Sequence, residues 1–175
     1  MALRLLITMI RKMEFPDLPR VAEIHVAAWH SAYRGILPDQ RLAELNVEEQ
    51  TELWETTLFR RESRTNLVLL DDGRIHGWSA IGPARDDDED PRHTGEIYGV
   101  HVHPDSHRRG FGTALLTYAH GVFRDRGYPE SVLWVVEENR NARQFYEHRK
   151  YRQDPGTRKI TDWMSVPEVR YRRSL

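Results

Sequence analysis

Apolar residues recur along this chain in two periods, and each period predicts a different kind of element. In residues 96–102 apolar and polar side chains alternate, which is typical of a strand with one buried face. In the segment that follows, apolar residues recur at steps of three and four, which is typical of one helix face. The members of that helix face are Ala114, Leu115, Tyr118, Ala119, Val122 and Phe123. The chain is therefore predicted to be a mixed α/β protein.

The same patterns predict seven strands and five helices. Strands are expected at residues 5–13, 66–70, 75–81, 96–102, 132–136, 152–160 and 169–173. Helices are expected at 18–32, 39–45, 47–60, from the loop after residue 107 to about 126, and at 141–149. Asp72 and Gly73 mark a hairpin turn between the second and third strands. Because no internal repeat or interdomain linker appears, we expect residues 1–175 to form a single domain.

The segment between the strand at 96–102 and the helix after it has the features of an anion site. Pro104 cannot donate a hydrogen bond into a sheet, so the strand ends near it. Gly110 and Gly112 let the backbone turn tightly and approach a ligand, and Arg108 beside them is positively charged. A helix that begins there directs unpaired N–H groups into the loop. The segment therefore suits a pyrophosphate, and the alternative is a plain turn between strand and helix.

Two well-known phosphate loops do not match this segment. A Walker loop requires Gly-Lys followed by Ser or Thr, which is missing here. The dinucleotide-binding pattern requires a third glycine, which is also missing.

Composition narrows the functional classes. A length of 175 residues is enough for one domain with a real core. A net charge of −1 gives no basic excess, so no nucleic-acid partner is expected. The absence of cysteine excludes disulfides, a thiol nucleophile and cysteine-ligated zinc.

The first ten residues are mildly apolar, but the run is too short to span a membrane. Arg11 and Lys12 follow this run instead of preceding it, which argues against a signal peptide. We therefore expect a first strand here, no membrane partner and a cytoplasmic location.

Two motifs connect the chain to a known family. Residues 107–112 read His-Arg-Arg-Gly-Phe-Gly. They resemble the acetyl-CoA motif of the GNAT acetyltransferases, Gln/Arg-x-x-Gly-x-Gly/Ala, which follows a strand ending Val-x-Pro. His107 stands where glutamine or arginine is usual in that family. The phosphate contacts of the family in this loop are mostly backbone N–H groups, and these do not depend on the side chain.

The second motif lies downstream. Residues 133–135 read Leu-Trp-Val, and Asn139, Ala142, Phe145 and Tyr146 follow at the spacing Asn-x-x-Ala-x-x-Phe-Tyr. This resembles the last core strand of the family and the helix after it, although residues 150–151 are Lys-Tyr where the family usually has Gly-Phe. The resemblance is strongest over residues 95–151.

The resemblance implies a fold and an activity. The expected fold is the GNAT acyl-CoA N-acyltransferase fold, an α/β (α+β) domain with a mixed, mostly antiparallel sheet flanked by helices. The expected activity is acetyl transfer from acetyl-CoA to the amine of a small molecule by direct attack in a ternary complex. A homodimer is compatible with this expectation.

The resemblance also implies the coenzyme contacts. The backbone N–H of Val100 would stabilise the thioester carbonyl, and Val102 would bond the pantetheine chain as if it were an extra strand. This requires the strands at 96–102 and 132–136 to splay apart. The loop residues expected at the phosphates are His107, Arg108, Arg109, Gly110, Phe111, Gly112 and Thr113. Asn139 either bonds the coenzyme or caps the following helix.

Acetyl transfer to an amine requires a base for the amine and an acid for the leaving thiolate. Glu96 matches the catalytic glutamate in the histone-acetyltransferase branch of the family and is the candidate base. Tyr146 matches the tyrosine that the family places beside the coenzyme sulfur and is the candidate acid. The alternatives are an ordinary surface glutamate at a strand edge and a half-buried tyrosine with a packing role.

Aromatic residues suggest a pocket for a small amine: Trp29, Tyr33, Tyr98 and Trp134. The alternative is that they belong to the core. In the resembled family the first helices form one wall of the acceptor cleft.

Residues 85–90 are a run of charges, for which we predict a solvated loop; the functional alternative is an acidic lip that attracts cationic amines.

The chain has nine histidines, which raises the question of a metal site, and His101, His103 and His107 lie close in sequence. Since no His-Glu-x-x-His pattern or third-ligand spacing appears, we expect no metal.

Two other functions share these motifs. A non-catalytic acyl-CoA-binding or regulatory domain would keep the glycine loop without the chemistry, and the presence of both Glu96 and Tyr146 favours the enzyme. A protein or peptide acetyltransferase differs in its acceptor and would need an open groove.

Overall fold

A computed structural model describes residues 8–58, 63–160 and 165–175. Its strands are β1 (Met9–Lys12), β2 (Thr65–Asp71), β3 (Arg74–Pro83), β4 (Thr94–Val102), β5 (Glu130–Val136), β6 (Arg152–Ile160) and β7 (Pro167–Ser174). Its helices are α1 (Leu18–Tyr33), α2 (Asp39–Ala43), α3 (Val47–Thr57), α4 (Phe111–Asp125) and α5 (Arg140–Glu147). Within these described ranges, no helix is long and apolar enough to cross a membrane.

The described strands form one seven-stranded sheet in the order β1-β2-β3-β4-β5-β7-β6. Neighbouring strands are antiparallel except β4 and β5, which run parallel. A mixed, mostly antiparallel sheet flanked by helices was predicted, and the structure confirms it.

Most element boundaries differ from the predicted ones by a few residues, and three of the differences matter here. The first strand was expected from residue 5, but residues 5–7 lie outside the described residues, and β1 ends at Lys12. The helix expected to reach residue 60 ends at Thr57, and residues 59–60 are likewise outside the described ranges. The last strand begins at Pro167, two residues earlier than expected, which places Glu168 within the sheet.

Helices cover both faces of the sheet because neighbouring side chains of a strand point to opposite faces. Val68 packs into a buried cluster with residues of α1 and α3, including Val21 and Trp54. Its neighbours in β2 pack on the other side, Leu67 in a cluster with Phe123 of α4 and Leu69 in a cluster with Leu115 of α4. Each fully buried side chain of this size contributes roughly 1.5–3 kcal/mol, so the two cores hold the helices against the sheet.

A bulge and a gap shape the middle of the sheet. Ile81 of β3 pairs with Ile97 and Ala80 pairs with Gly99, so Tyr98 is an extra residue in β4. The parallel pairing of β4 with β5 covers Thr94–Ile97 and residues 130–133. Both strands continue beyond that pairing, to Val102 and Val136. The two strands therefore splay apart, as the sequence analysis required.

The acidic run at residues 85–90 is a loop, but it is not simply solvated. The guanidinium of Arg170 in β7 lies 3.1 Å from Asp86, 2.7 Å from Asp88 and 3.3 Å from Glu89. The side chains of Arg170 and Glu89 are only 4% and 5% exposed. Because a buried guanidinium needs anionic partners, the run anchors the loop to the sheet. The prediction of a solvated loop is wrong for Asp86 and Glu89, whose side chains are 18% and 5% exposed, but it holds for Asp88, which is 62% exposed.

Candidate active site

A cavity of about 490 Å³ opens where β4 and β5 separate. Its lining comes from α1, β4, β5, α5 and the ends of β6 and β7. The predicted catalytic and substrate residues all line it: Glu96, Val100, Tyr146, Trp29, Tyr33, Tyr98 and Trp134. Three further residues predicted to bind the coenzyme also line it: Val102, His107 and Asn139. The fold thus brings together groups that lie more than a hundred residues apart in the chain.

The backbone of β4 is directed into the gap at Val100 and Val102. The N–H of His103 donates to the carbonyl of His76 in β3, at 2.9 Å. Because backbone groups alternate in direction along a strand, those of Val102 and Val100 point away from β3. On that side the pairing with β5 ends at Ile97. These N–H groups therefore face the cavity, where a ligand can accept their hydrogen bonds.

The glycine loop enters α4 through two residues with positive φ, Arg108 at 62° and Gly110 at 83°. Gly110 precedes the first turn of α4, and no side chain caps that helix end. A Cβ at Gly110 would meet nothing within 4 Å, so the backbone conformation and not a lack of space favours glycine there. The uncapped N–H groups of α4 are suited to an anion. Residues 108–113 do not line the cavity itself.

Two side chains of this loop already have protein partners. The guanidinium of Arg109 pairs with Asp71 and lies 4.5 Å from the ring centre of Phe111. The hydroxyl of Thr113 accepts hydrogen bonds from Arg149. The anion-binding capacity of the loop therefore rests on its backbone N–H groups and on the exposed side chain of Arg108.

Asn139 follows the end of β5 and His107 follows the end of β4, and each makes a local hydrogen bond beside the gap. Asn139 accepts a hydrogen bond from the N–H of Ala142 at 3.1 Å and so caps α5. The interpretation of Asn139 as a cap is confirmed, and its contact with the coenzyme stays a prediction. The Nε2 atom of His107 lies 3.1 Å from the carbonyl oxygen of Val102, which holds the imidazole against the end of β4.

Tyr146 lies in the wall formed by α5. Its ring packs against Phe145 and Tyr151, with ring centres 5.2 Å and 5.8 Å away. Burial raises the pKa of Tyr146 to about 12, although the nearby Arg149 acts in the opposite direction. The phenol is therefore protonated at neutral pH and can donate that proton within the cavity.

Glu96 is buried and paired. Its side chain is 1% exposed, and β4 is an interior strand, so the alternative of a surface glutamate at a strand edge is wrong. Arg85 donates three hydrogen bonds to this carboxylate, from Nη2 at 2.6 Å, from Nε at 3.2 Å and from its backbone N–H at 2.9 Å. Both carboxylate oxygens are thus already engaged by a guanidinium.

The four predicted aromatic residues line the cavity, and hydrogen bonds orient two of them, Tyr98 and Trp134. The hydroxyl of Tyr98 donates to the carbonyl of Pro83 at 2.6 Å. The indole N–H of Trp134 donates to Asp86 at 2.8 Å. These bonds occupy the polar atoms at the ends of the two side chains. Trp29 is also part of a buried cluster, so the core interpretation holds for it alongside its place in the lining.

Three charged residues of the lining were missed by the sequence analysis: Arg85, Lys159 and Glu168. Arg85 belongs to the charge run that was interpreted as solvated. Lys159 and Glu168 lie opposite each other on the paired strands β6 and β7. Burial raises the pKa of Glu168, against the opposing influence of Lys159 and Arg85. No local pattern identifies these two residues, because only the strand order brings them to the cavity.

Two histidines at or beside the cavity, His25 and His101, belong to an aromatic cluster. The rings of His25 and His101 lie 5.0 Å apart, and the ring of Trp78 stacks on His101 at 4.9 Å. Burial lowers the pKa of His25 to about 2 and that of His101 to about 4, so both are neutral at physiological pH. Over the described ranges, no group of three or more His, Asp or Glu side chains is arranged to hold a metal ion.

Comparison with known proteins agrees with this architecture. The model of the Acetyltransferase (GNAT) family matches residues 18–151. The uncharacterized N-acetyltransferase YuaI of Bacillus subtilis is 28% identical over 131 residues, which cover 74% of this chain and 72% of that protein. The probable N-acetyltransferase Rv2775 of Mycobacterium tuberculosis is 29% identical over 171 residues, 93% of this chain and 91% of its own. A mycothiol acetyltransferase of Rhodococcus jostii is 30% identical over 135 residues, 75% of this chain but 41% of its own.

Solved structures share the fold. The PaiA N-acetyltransferase of Thermoplasma acidophilum, in complex with coenzyme A, matches with a TM-score of 0.71 and 16% identity over 97% of this chain and 99% of that one. The ribosomal-protein-alanine N-acetyltransferase of Brucella melitensis matches with a TM-score of 0.70 and 20% identity, over 95% and 99% of the two chains.

Proposed function

Since this chain belongs to the GNAT family and is an N-acetyltransferase, we propose that it transfers the acetyl group of acetyl-CoA to the amine of a small molecule. The attack is direct, in a ternary complex. The observation that carries the proposal is the gap between β4 and β5, where backbone groups directed away from β3, a phenol and two carboxylates line one cavity. A thioester and an amine meet there.

The donor side of the cavity is the side of α4 and α5. The pantetheine chain runs along β4 and bonds the backbone of Val102, and the N–H of Val100 binds the thioester oxygen as it gains charge. The diphosphate lies against the uncapped N–H groups of α4, with Arg108 beside it. His107 and Asn139 border the coenzyme where they line the cavity.

The leaving thiolate requires a proton, and Tyr146 supplies it. Its hydroxyl has no hydrogen-bond partner among the described side chains and backbone groups, and burial keeps it protonated at neutral pH. A general acid in this position lowers the barrier as charge develops on sulfur. The amine, in turn, needs a base on the acceptor side, where Glu96 and Glu168 both line the cavity.

The size and lining of the cavity favour a small acceptor. A volume of about 490 Å³ lies within the range of pockets that bind small molecules. The acceptor side is bounded by the four aromatic side chains and by charged groups of both signs, Arg85, Glu96, Lys159 and Glu168. Such a lining suits a compact amine that carries further polar groups. Related proteins are named for mycothiol and for ribosomal-protein alanine, so the family's acceptors vary widely.

A turnover screen tests the proposal. Acetyl-CoA is offered with polyamines, aminoglycosides, arylalkylamines, amino acids and peptides, and thiol release is followed. We expect kcat/KM to be highest for one class of small amine. Faster turnover of peptides would overturn the acceptor class. Acetyl-CoA binding by calorimetry without turnover of any amine would indicate a non-catalytic acyl-CoA-binding domain. The proposal includes that the chain acts as a single domain in the cytoplasm. Analytical sedimentation distinguishes a monomer from a homodimer.

A further inference from the structure

Glu168 is the carboxylate of the cavity that remains available to a substrate. It lies in β7 opposite Val136 of β5 and opposite Lys159 of β6, at the end of the gap. Its side chain is partly exposed and lines the cavity. Among the described residues, no hydrogen bond or ion pair engages its carboxylate. Its oxygens can therefore accept from an incoming amine.

The other carboxylate of the cavity differs in this respect. Glu96 is 1% exposed, and Arg85 engages both of its oxygens at distances of 2.6–3.2 Å. To take a proton from a substrate, Glu96 would have to give up part of its ion pair with Arg85, whose side chain is 49% exposed, and leaving a buried carboxylate unpaired is costly. Glu96 is therefore better placed to hold Arg85 than to act on the amine.

The charges around Glu168 place it on the acceptor side. Lys159 of β6, Arg85 of the loop before β4 and Glu96 of β4 all interact with its carboxylate electrostatically. Tyr33 of α1 also interacts with it, and Tyr33 interacts in turn with Tyr146. Arg170 lies two residues after Glu168 on β7, and it forms ion pairs with acidic residues of the loop at 85–90. Glu168 and Tyr146 are thus both near Tyr33, and all three line the same cavity.

We propose that Glu168, and not Glu96, is the base that accepts the proton of the acceptor amine. This inference rests on the proposed acetyl transfer. The bound ammonium gives one proton to Glu168, and the nitrogen lone pair then attacks the thioester carbon. The C–N bond forms and the C–S bond breaks, and sulfur takes its proton from Tyr146. The nitrogen loses a second proton to solvent, Tyr146 regains one from solvent in place of the proton given to sulfur, and Glu168 releases its proton to solvent.

If Glu168 is the base, the direction in which the reaction rate changes with pH can be predicted. A base works in its ionised form, which for Glu168 exists above its pKa, and burial raises that pKa. The rate is therefore lost as pH falls through the raised pKa of Glu168. An acceptor that is already neutral at the assay pH, such as a weakly basic hydrazine, needs less help from the base.

The test compares Glu168→Gln, Glu168→Asp and Glu96→Gln with the unaltered chain, using an acceptor that the screen identifies. Glu137→Gln is the matched control, because Glu137 is a nearby carboxylate that pairs with Arg158 outside the cavity. We expect Glu168→Gln to lower kcat/KM by roughly 10²–10⁴-fold with a strongly basic amine. The loss should be much smaller with a weakly basic amine, and acetyl-CoA affinity by calorimetry should be unchanged.

The pH–rate profile separates the two carboxylates. The acid-side loss of rate that belongs to the base should disappear in Glu168→Gln and persist in Glu168→Asp, in Glu96→Gln and in the control. If Glu96→Gln removes it and Glu168→Gln does not, Glu96 is the base and our inference is wrong. Equal losses for strongly and weakly basic amines would also overturn it. If the unaltered chain acetylates no amine, the proposed function itself fails, and the base role fails with it.

Discussion

At the scale of single residues, burial affects the protonation of Tyr146 more than any charged neighbour does. Its pKa rises to about 12 because the phenol is desolvated, even though Arg149 nearby acts against the shift. A protonated phenol beside a departing thiolate is a competent acid at neutral pH. The same tyrosine also packs against Phe145 and Tyr151, so its ring and its hydroxyl have separate roles.

Tyr146→Phe separates those roles, because it keeps the ring and removes the proton. We expect the thermal midpoint to change little and kcat to fall by roughly 10²-fold or more. The loss should appear in the maximal rate more than in acetyl-CoA affinity, and it should shrink with a thioester whose thiol is more acidic. Tyr118→Phe on the exposed face of α4 is the matched control. Equal losses with good and poor leaving groups would mean that Tyr146 positions a substrate instead of donating the proton.

At the scale of elements, the start of α4 combines two requirements for glycine. Gly110 adopts a positive φ, which L-residues adopt rarely. At Gly112 the backbone is packed closely, since an added Cβ would lie 3.3 Å from the ring of Phe145. The first glycine therefore sets the direction of the chain, and the second makes room for the ring of Phe145.

Gly112→Asp tests whether this helix end binds the diphosphate. The substitution adds a negative charge where an anion is expected, so acetyl-CoA affinity should collapse while the fold persists. Gly121→Asp places the same change on the same helix, at a position where an added Cβ meets nothing within 4 Å. Calorimetry with acetyl-CoA should show a large loss for the first variant and none for the second. Unchanged binding in folded Gly112→Asp would place the phosphate site elsewhere.

At the scale of the whole molecule, buried histidines link stability to pH. Burial lowers the pKa of His25 to about 2, and the pKa values of His101 and His120 to about 4. Each is about 6.5 in an unfolded chain. The unfolded state therefore binds more protons below pH 6.5, so stability is complete above that pH and is lost as pH falls. Among the residues that the structure describes, none offers a hydrogen-bond partner to the Nδ1 atom of His25, which adds to its cost when charged.

His25→Phe should flatten this dependence. Phenylalanine keeps a ring against Trp29, Trp54 and His101 but binds no proton. Between pH 6 and pH 4, we expect the free energy of unfolding to lose about 1.4 kcal/mol less per pH unit than in the unaltered chain. Urea denaturation at several pH values measures the slope, and pH 8 provides the reference at which histidine is neutral in both chains. An identical slope would mean that His25 is not buried in its neutral form.

The sequence alone determined those features of the structure that are encoded by neighbouring residues. The alternation in β4, the period of α4, the turn at Asp72 and Gly73 and the loop before α4 are all encoded within a few neighbouring residues. Local backbone sterics and burial of one face are enough to specify them. The strands and helices of a mixed α/β protein were therefore predicted from these signals, whereas the GNAT fold and the gap between β4 and β5 were expected from the family resemblance; the structure confirms them.

Only the tertiary structure decided which charges meet. The carboxylate of Glu96 is engaged by Arg85 across the turn from β3 to β4, and the acidic loop is anchored by Arg170, more than eighty residues away. Glu168 enters the cavity because β7 inserts between β5 and β6. These pairings depend on strand order and on the burial of ions that would be costly to leave unpaired. No pattern in the neighbouring residues encodes them, because the partners become neighbours only when the sheet has formed.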